Sequence, residues 1–489
     1  MKKKFVVNLA LLLFLNLLIK PFWIFGIDRT VQNLVGAQDY GFYFSLFNFS
    51  LILNILLDFG ITNYNNKNIA QNHKLISKHL SNIIALKFLL AGFYTIVTLA
   101  IAFIIGYNAK QFYLLFFLIF NQVLISFTLY LRSNISGLQF FKTDSLVSVL
   151  DRSLMIIIVS ILLWGKIIDK PFKIEWFVYS QTLAYLITAI ITFFIVLSKS
   201  EFFKLRFDLK FFIIFLKQSY PYALLILLMA FYNRIDSVMI ERLLNKTSQT
   251  GINIGETQAG IYAQAYRILD AFTMFAFLFA GLLLPMFAKM IKTKQNIEQL
   301  VQLSFLLLII PAIILVVATV SYRFNIMELL YHNHVNLSAN IFGLLIVGFI
   351  GISTTYIFGT LLTANGSMKQ LNIMAFAGIV INVIINLILI PRLFALGSAI
   401  ASLSTQTFTA IVQVLIAVKI FKFKINYKLL STLLLFVSIL IFTAFLSTKY
   451  FNNWYYGFFA IISLGFIFAF VLRLINIKTL FNIIKYDNE

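Results

Sequence analysis

The sequence predicts an all-α integral membrane protein with about fourteen transmembrane helices. Three observations predict it. The 489 residues are 61% hydrophobic and only 11% charged, too apolar for the surface that a soluble chain of this length exposes. Apolar runs of roughly 20 residues recur from end to end, each long enough to cross a hydrocarbon core of about 30 Å. The Lys and Arg residues collect in alternate connections between those runs.

The runs place helices at about 5–27, 42–64, 80–106, 111–133, 145–165, 174–198, 211–234, 258–288, 299–322, 339–364, 370–391, 395–419, 427–448 and 454–475. Runs this long and uniformly apolar are helices, because hydrocarbon admits only helices and closed barrels. Met1-Lys2-Lys3-Lys4 opens the chain as a signal peptide would. The apolar run behind it is too long for such a segment and no Ala-x-Ala site follows, so it is expected to be a retained first span. With the N-terminus inside, the inner segments hold 24 of the 39 Lys and Arg residues and the outer ones 11. Both termini are therefore expected to be cytoplasmic. Much of the net charge of +22 is then topology plus attraction to anionic membrane lipid, with no nucleic acid as a partner. Four cations remain, all within spans: Lys20, Lys87, Arg152 and Arg267.

Several chemistries are excluded. The chain has no cysteine, so disulfides, Cys metal sites and thiol catalysis are out. Its four histidines, His73, His79, His332 and His334, have no zinc-site spacing. No Walker, GxSxG or HExxH motif occurs, and the longest outer connection, about 235–257, is too short for a catalytic domain. An enzyme is not expected, nor a cofactor or a bound metal. Trp23, Trp164, Trp176 and Trp454 all fall near predicted outer interfaces, as an aromatic belt rather than a sugar-stacking platform.

The chain repeats internally. Ile27-Asp28 ends the first span as Ile235-Asp236 ends the seventh, 208 residues apart. Gly41-Phe42-Tyr43 opens the second span as Gly260-Ile261-Tyr262 opens the eighth, 219 residues apart. Gly137 and Gly366, after the fourth and tenth spans, are a weaker third match. A repeat of six helices keeps its orientation, so it is parallel. The expected domains are a six-helix lobe at 1–200, a second at 201–425, and two further helices with a cytoplasmic tail at 426–489.

Gly41-Phe42-Tyr43-Phe44-Ser45-Leu46-Phe47 and Leu57-Asp58-Phe59-Gly60-Ile61 resemble the second helix of polysaccharide biosynthesis flippases. Tyr266-Arg267-Ile268-Leu269-Asp270 and Leu284-Pro285-Met286-Phe287 resemble their eighth. Leu362-Thr363-Ala364-Asn365-Gly366, Ile381-Asn382-Val383-Ile384-Ile385-Asn386, Ile390-Pro391 and Gly397-Ser398-Ala399-Ile400-Ala401 resemble their tenth to twelfth. The ordered set, over most of residues 1–425, resembles the O-antigen (Wzx-like) branch of the multidrug/oligosaccharidyl-lipid/polysaccharide (MOP) exporter superfamily. Ser398 stands where Ala is commoner in that family. The resemblance implies a flippase of the bacterial inner membrane. Its cargo would be an undecaprenyl-pyrophosphate-linked oligosaccharide, moved by rocking two lobes. It also implies coupling to an H+ or Na+ gradient and work beside a polymerase and other assembly proteins. A lipid II flippase and a multidrug exporter of the same superfamily are the alternatives.

The intramembrane charges fit an anionic cargo. A Lys or Arg at mid-bilayer costs at least about 2.5–3.5 kcal/mol, so it faces protein, water or a partner. Arg267, Arg152, Lys20 and Lys87 are the candidates for a cationic central cavity that holds the pyrophosphate, Arg by a bidentate fork and Lys as a point charge. Asp151, Asp270, Asp236 and Asp58 are candidate charge partners or ion-coupling groups. Asp151 adjoins Arg152, and Asp270 lies three residues after Arg267.

Overall fold

A computed structural model describes residues 14–62, 65–66, 69, 75–165, 171–199, 209–245, 253–424 and 426–474. The predicted start of the first span (5–13) and the middle of the 235–257 connection lie outside these residues. Helix α1 runs from 14 to 35 and contains a π-helical turn, Trp23–Asp28. Helix α2 takes 37–52. The others are α3 (Leu75–Ile104), α4 (Ala109–Gly137), α5 (Phe141–Trp164), α6 (Ile174–Leu197), α7 (Leu209–Leu243) and α8 (Ile254–Lys292). Then follow α9 (Glu298–Ser321), α10 (Val335–Ala364), α11 (Met368–Leu393), α12 (Ala395–Phe421), α13 (Tyr427–Tyr450) and α14 (Trp454–Val471). A short helix, Arg323–Leu330, precedes α10. Helices α3 to α14 all contain a stretch long and apolar enough to cross a membrane. The fourteen-helix expectation holds.

The first two spans differ from their predicted form. No loop joins them. The helix continues to residue 35, and Gly36 alone turns the chain, with φ +80° and ψ 172°. That conformation is open to glycine because it has no Cβ to clash. The second span was expected to be continuous over 42–64. Instead α2 stops at Ile52, a 3-10 turn covers Asn54–Leu57, and Phe59 and Gly60 take positive φ of 43° and 85°.

This break has a cause that lies elsewhere in sequence. A broken helix frees carbonyls, and each needs a partner inside the protein when lipid surrounds it. Lys87 of α3 supplies it. Its ammonium donates to the Leu57 carbonyl at 2.9 Å and to Asp58 Oδ1 at 2.5 Å, and lies 3.0 Å from Ser126 Oγ of α4. Asp58 also accepts from the Thr62 hydroxyl at 2.6 Å and from its backbone N–H, capping the turn that restarts the helix. Lys87 is buried and Asp58 largely so.

By density of contacts the chain divides into two compact units, residues 1–264 with 390–395, and residues 265–389 with 396–489. In the first, α4 packs along α6 and α2 along α7. An apolar cluster around Ile61, Ile69, Leu80, Ile83 and Leu131 fills the end where α3 begins. In the second, α9 packs against α10, α13 and α14. The C-terminal pair is docked by close fit. Tyr322 and Ser447 hydroxyls are 2.7 Å apart, and both press on Gly457 of α14. One face further along, Gly465 lies against Ile314 of α9.

Two outcomes test this packing. Lys87→Met removes the cation that pairs with Asp58 and one of the two donors to the Leu57 carbonyl, which costs about 3–5 kcal/mol. Thermal unfolding of the purified protein in detergent should show that loss, and K87M/D58L should recover part of it. Gly457→Ala forces the Tyr322–Ser447 pair apart and should lower stability by about 1–3 kcal/mol in the same assay.

Candidate functional site

In the first unit two of the four sequence-predicted cations, Lys20 of α1 and Arg152 of α5, come together beside α6. Pro21 removes a backbone donor near the middle of α1, and the helix widens into the π turn just beyond it. Trp23, the first residue of that turn, is buried and stacks on Phe177 of α6, with ring centroids 5.6 Å apart and planes 3° from parallel. Trp23 is therefore not part of an interfacial belt. The widened turn carries it into the helix bundle.

Arg152 of α5 sits against two rings. Its guanidinium carbon is 5.6 Å from the Trp23 ring centre and 5.8 Å from that of Tyr185 on α6. Weakly hydrated and planar, a guanidinium suits such surroundings better than an ammonium does. Asp151 is 3.7 Å away, and the Met155 sulfur accepts from Nη1 at 3.4 Å. Arg152 and Asp151 each keep about a quarter of their side-chain surface open, 27% and 25%. Lys20 of α1 lies within electrostatic range of Arg152, Asp151 and Arg132. Asn16 ties α1 to α5 by donating to Ser148 Oγ at 3.0 Å.

Arg132 of α4 was not among the sequence candidates, because its place at the end of a span put it with the inner-surface cations. It donates from Nε to Asp144 Oδ1 at 2.8 Å. The cluster thus sets three cations (Lys20, Arg132, Arg152) against two carboxylates (Asp144, Asp151). Arg152 and Asp151 stay partly open to their surroundings. Such a cluster can bind an anion.

The other candidates lie apart from this cluster. Lys87 and Asp58 are joined to each other at the break after α2. In the second unit Arg267 and Asp270 face each other along α8 at 3.8 Å, both mostly buried. Asp236, at the end of α7, accepts from the Tyr262 hydroxyl of α8 at 2.9 Å. Asp28, its counterpart in the repeat, accepts from the Tyr40 hydroxyl of α2 at 2.9 and 3.0 Å. Each repeat-related carboxylate therefore fastens its helix to the next. Among the described residues no group of His, Asp or Glu is arranged to hold a metal ion.

The first unit also has an apolar cavity of about 650 Å³ between α3, α4 and α6, lined by Phe88, Phe120, Phe127, Leu186, Ile190 and Phe193 among others. The polar groups at its wall, Lys87 and Ser126, bond to each other and to Leu57. An empty dry space of that size would cost on the order of 15 kcal/mol. Its lining is almost wholly apolar. It offers nothing to a sugar or a phosphate.

Residues 10–291 match the family model for polysaccharide biosynthesis proteins. No curated protein matches the chain. Among solved structures, the lipid II flippase MurJ in an inward closed conformation is similar over 96% of this chain and 98% of its own, at 16% identity and a TM-score of 0.70. Inward- and outward-facing forms of a multidrug resistance MATE family transporter of the MOP superfamily are similar over 84% of this chain and 97% and 94% of theirs, at 15% and 16% identity, with TM-scores of 0.60 and 0.59. At such identities the likeness is one of fold alone. The family model covers more than half of the sequence, so the chain belongs to the polysaccharide biosynthesis protein family.

Proposed function

We propose that the protein is a flippase carrying an undecaprenyl-pyrophosphate-linked oligosaccharide from the inner to the outer leaflet of a bacterial inner membrane, with both termini cytoplasmic. The observation that carries this reading is the cation excess at Lys20, Arg132 and Arg152. A polyprenyl pyrophosphate concentrates negative charge where the carrier must take it from water. The Arg152 fork, backed by Trp23 and Tyr185, suits bidentate contact with phosphate oxygens. Lys20 adds a point charge, and Arg267 offers a further guanidinium on α8. Lys87 belongs to the helix break and is assigned no part in binding. Asp151, Asp270 and Asp58 serve as partners of neighbouring cations. Asp236, which accepts from the Tyr262 hydroxyl, is a candidate for coupling to H+ or Na+.

The same excess argues against a multidrug exporter, whose cargo is mostly cationic. A lipid II flippase would use the same polyprenyl-pyrophosphate chemistry and differs in the glycan alone. The carrier works by binding and alternating access between lobes 1–200 and 201–425, with no bond made or broken. Its product, a lipid-linked unit on the outer face, would be consumed by a polymerase.

The experiment replaces Arg152 and Arg267 by Ala, singly and together, and follows export of the lipid-linked unit and surface polysaccharide. Each charge-assisted contact is worth about 1.5–3 kcal/mol, so each single change should cost roughly tenfold to a hundredfold in export. Arg152→Lys should retain more than R152A. Full export by the double variant would remove the cationic mechanism. Retention of a cationic drug in cells lacking the protein would move it to the exporter class.

A further inference from the structure

The repeat has a physical consequence that the cargo site does not use. Gly41 of α2 and Gly260 of α8, 219 residues apart, pack directly against each other where the two helices cross. A Cβ on Gly41 would run into the Glu256 carbonyl and the Gly260 nitrogen. A Cβ on Gly260 would run into the Ala37 carbonyl. Ala37 and Glu256 are also 219 residues apart. Each glycine thus meets the backbone one turn ahead of the other glycine. The crossing is two-fold symmetric in the repeat, and it is as close as two helices can come, since backbone rests on backbone.

Other contacts gather at the same end of the helices. Gln38 of α2 donates to Glu256 of α8 at 3.3 Å. Gln111 of α4 donates to Glu241 of α7 at 3.0 Å, and Arg242 bonds Glu241 and the Ile105 and Gly106 carbonyls between α3 and α4. Gln111 and Glu241 are buried, so part of this polar network is screened from water. The glycine crossing adds a contact of backbone on backbone.

We infer that the Gly41–Gly260 crossing is the latch that holds this end of the carrier shut, and that its missing side chains set how long the closed state lasts. The inference rests on the alternating-access reading above. The charge count puts this end outside. A carrier that releases cargo there must part α2 from α8, and at the crossing itself the surfaces that separate are backbone. One methyl on either glycine prevents full closure without touching the cargo cluster. Because the crossing is symmetric, G41A and G260A should act alike, and the double variant should add little to either.

The test uses the chain's lack of cysteine. Ala263, fully buried on α8 one turn beyond Gly260, becomes a single reporter as Ala263→Cys. Ala375→Cys, fully buried on α11, is the control. Labelling by a membrane-impermeant maleimide is timed for purified protein in detergent. G260A and G41A should each speed labelling at position 263 by about tenfold or more and leave position 375 unchanged. Unchanged labelling at 263 in a monodisperse variant would overturn the latch, as would equal gains at both positions, which would mean general loosening. Glycan export by the parent chain is measured beside it. Export without a labelling response removes the latch and leaves the cargo reading. A labelling response in a parent that exports no glycan removes the cargo reading and leaves the latch.

Discussion

Everything in this protein answers to the cost of an unmatched polar group in hydrocarbon. An unpaired backbone group there costs several kcal/mol, and an unpaired charge more. The helix break after α2 is possible because Lys87 reaches from α3 to the Leu57 carbonyl. The lysine is tolerable because Asp58, exposed by the same break, takes its charge. Neither feature would be stable alone. The π turn of α1 shows the same logic in a different form. Pro21 loosens the helix, and the widened turn delivers Trp23 to a guanidinium that needs a face to lie against.

Charge is placed unevenly under this constraint, and the unevenness points to function. Lys87 and Asp58 balance, and so do Arg267 with Asp270. The cluster on α1, α4 and α5 does not balance, and it is also where side chains stay partly open. Basic side chains gathered beside partly open carboxylates have a use where they meet. An anionic headgroup is the partner that such a place suits. The apolar cavity between α3, α4 and α6 is the opposite case, a space whose wall is almost wholly hydrocarbon.

Much of this was legible in the sequence. Length of apolar runs gave the helices, because hydrophobic thickness is a one-dimensional quantity. The two Gly-x-Tyr openings gave the repeat, and their glycines proved to touch. What the sequence hid depends on neighbours from distant helices. Asp58 has no cation within its own span, and its partner is 29 residues away. Arg132 looked like a surface cation because position along a span does not reveal which way a side chain packs. Trp23 looked interfacial because it falls near the end of its predicted span, and position along a span does not reveal that it packs on Phe177. Gly36 could be read as a turn, but not as the whole connection between two helices.

The central claim is that a polyprenyl-pyrophosphate glycan crosses the bilayer through this chain. The most direct measurement reconstitutes the purified protein in liposomes carrying such a lipid with a labelled glycan, and follows protection of the glycan from an impermeant reagent. The account predicts that wild-type protein equilibrates the glycan between leaflets, while R152A vesicles remain close to protein-free ones. Equal rates for wild-type, R152A and protein-free vesicles would contradict it.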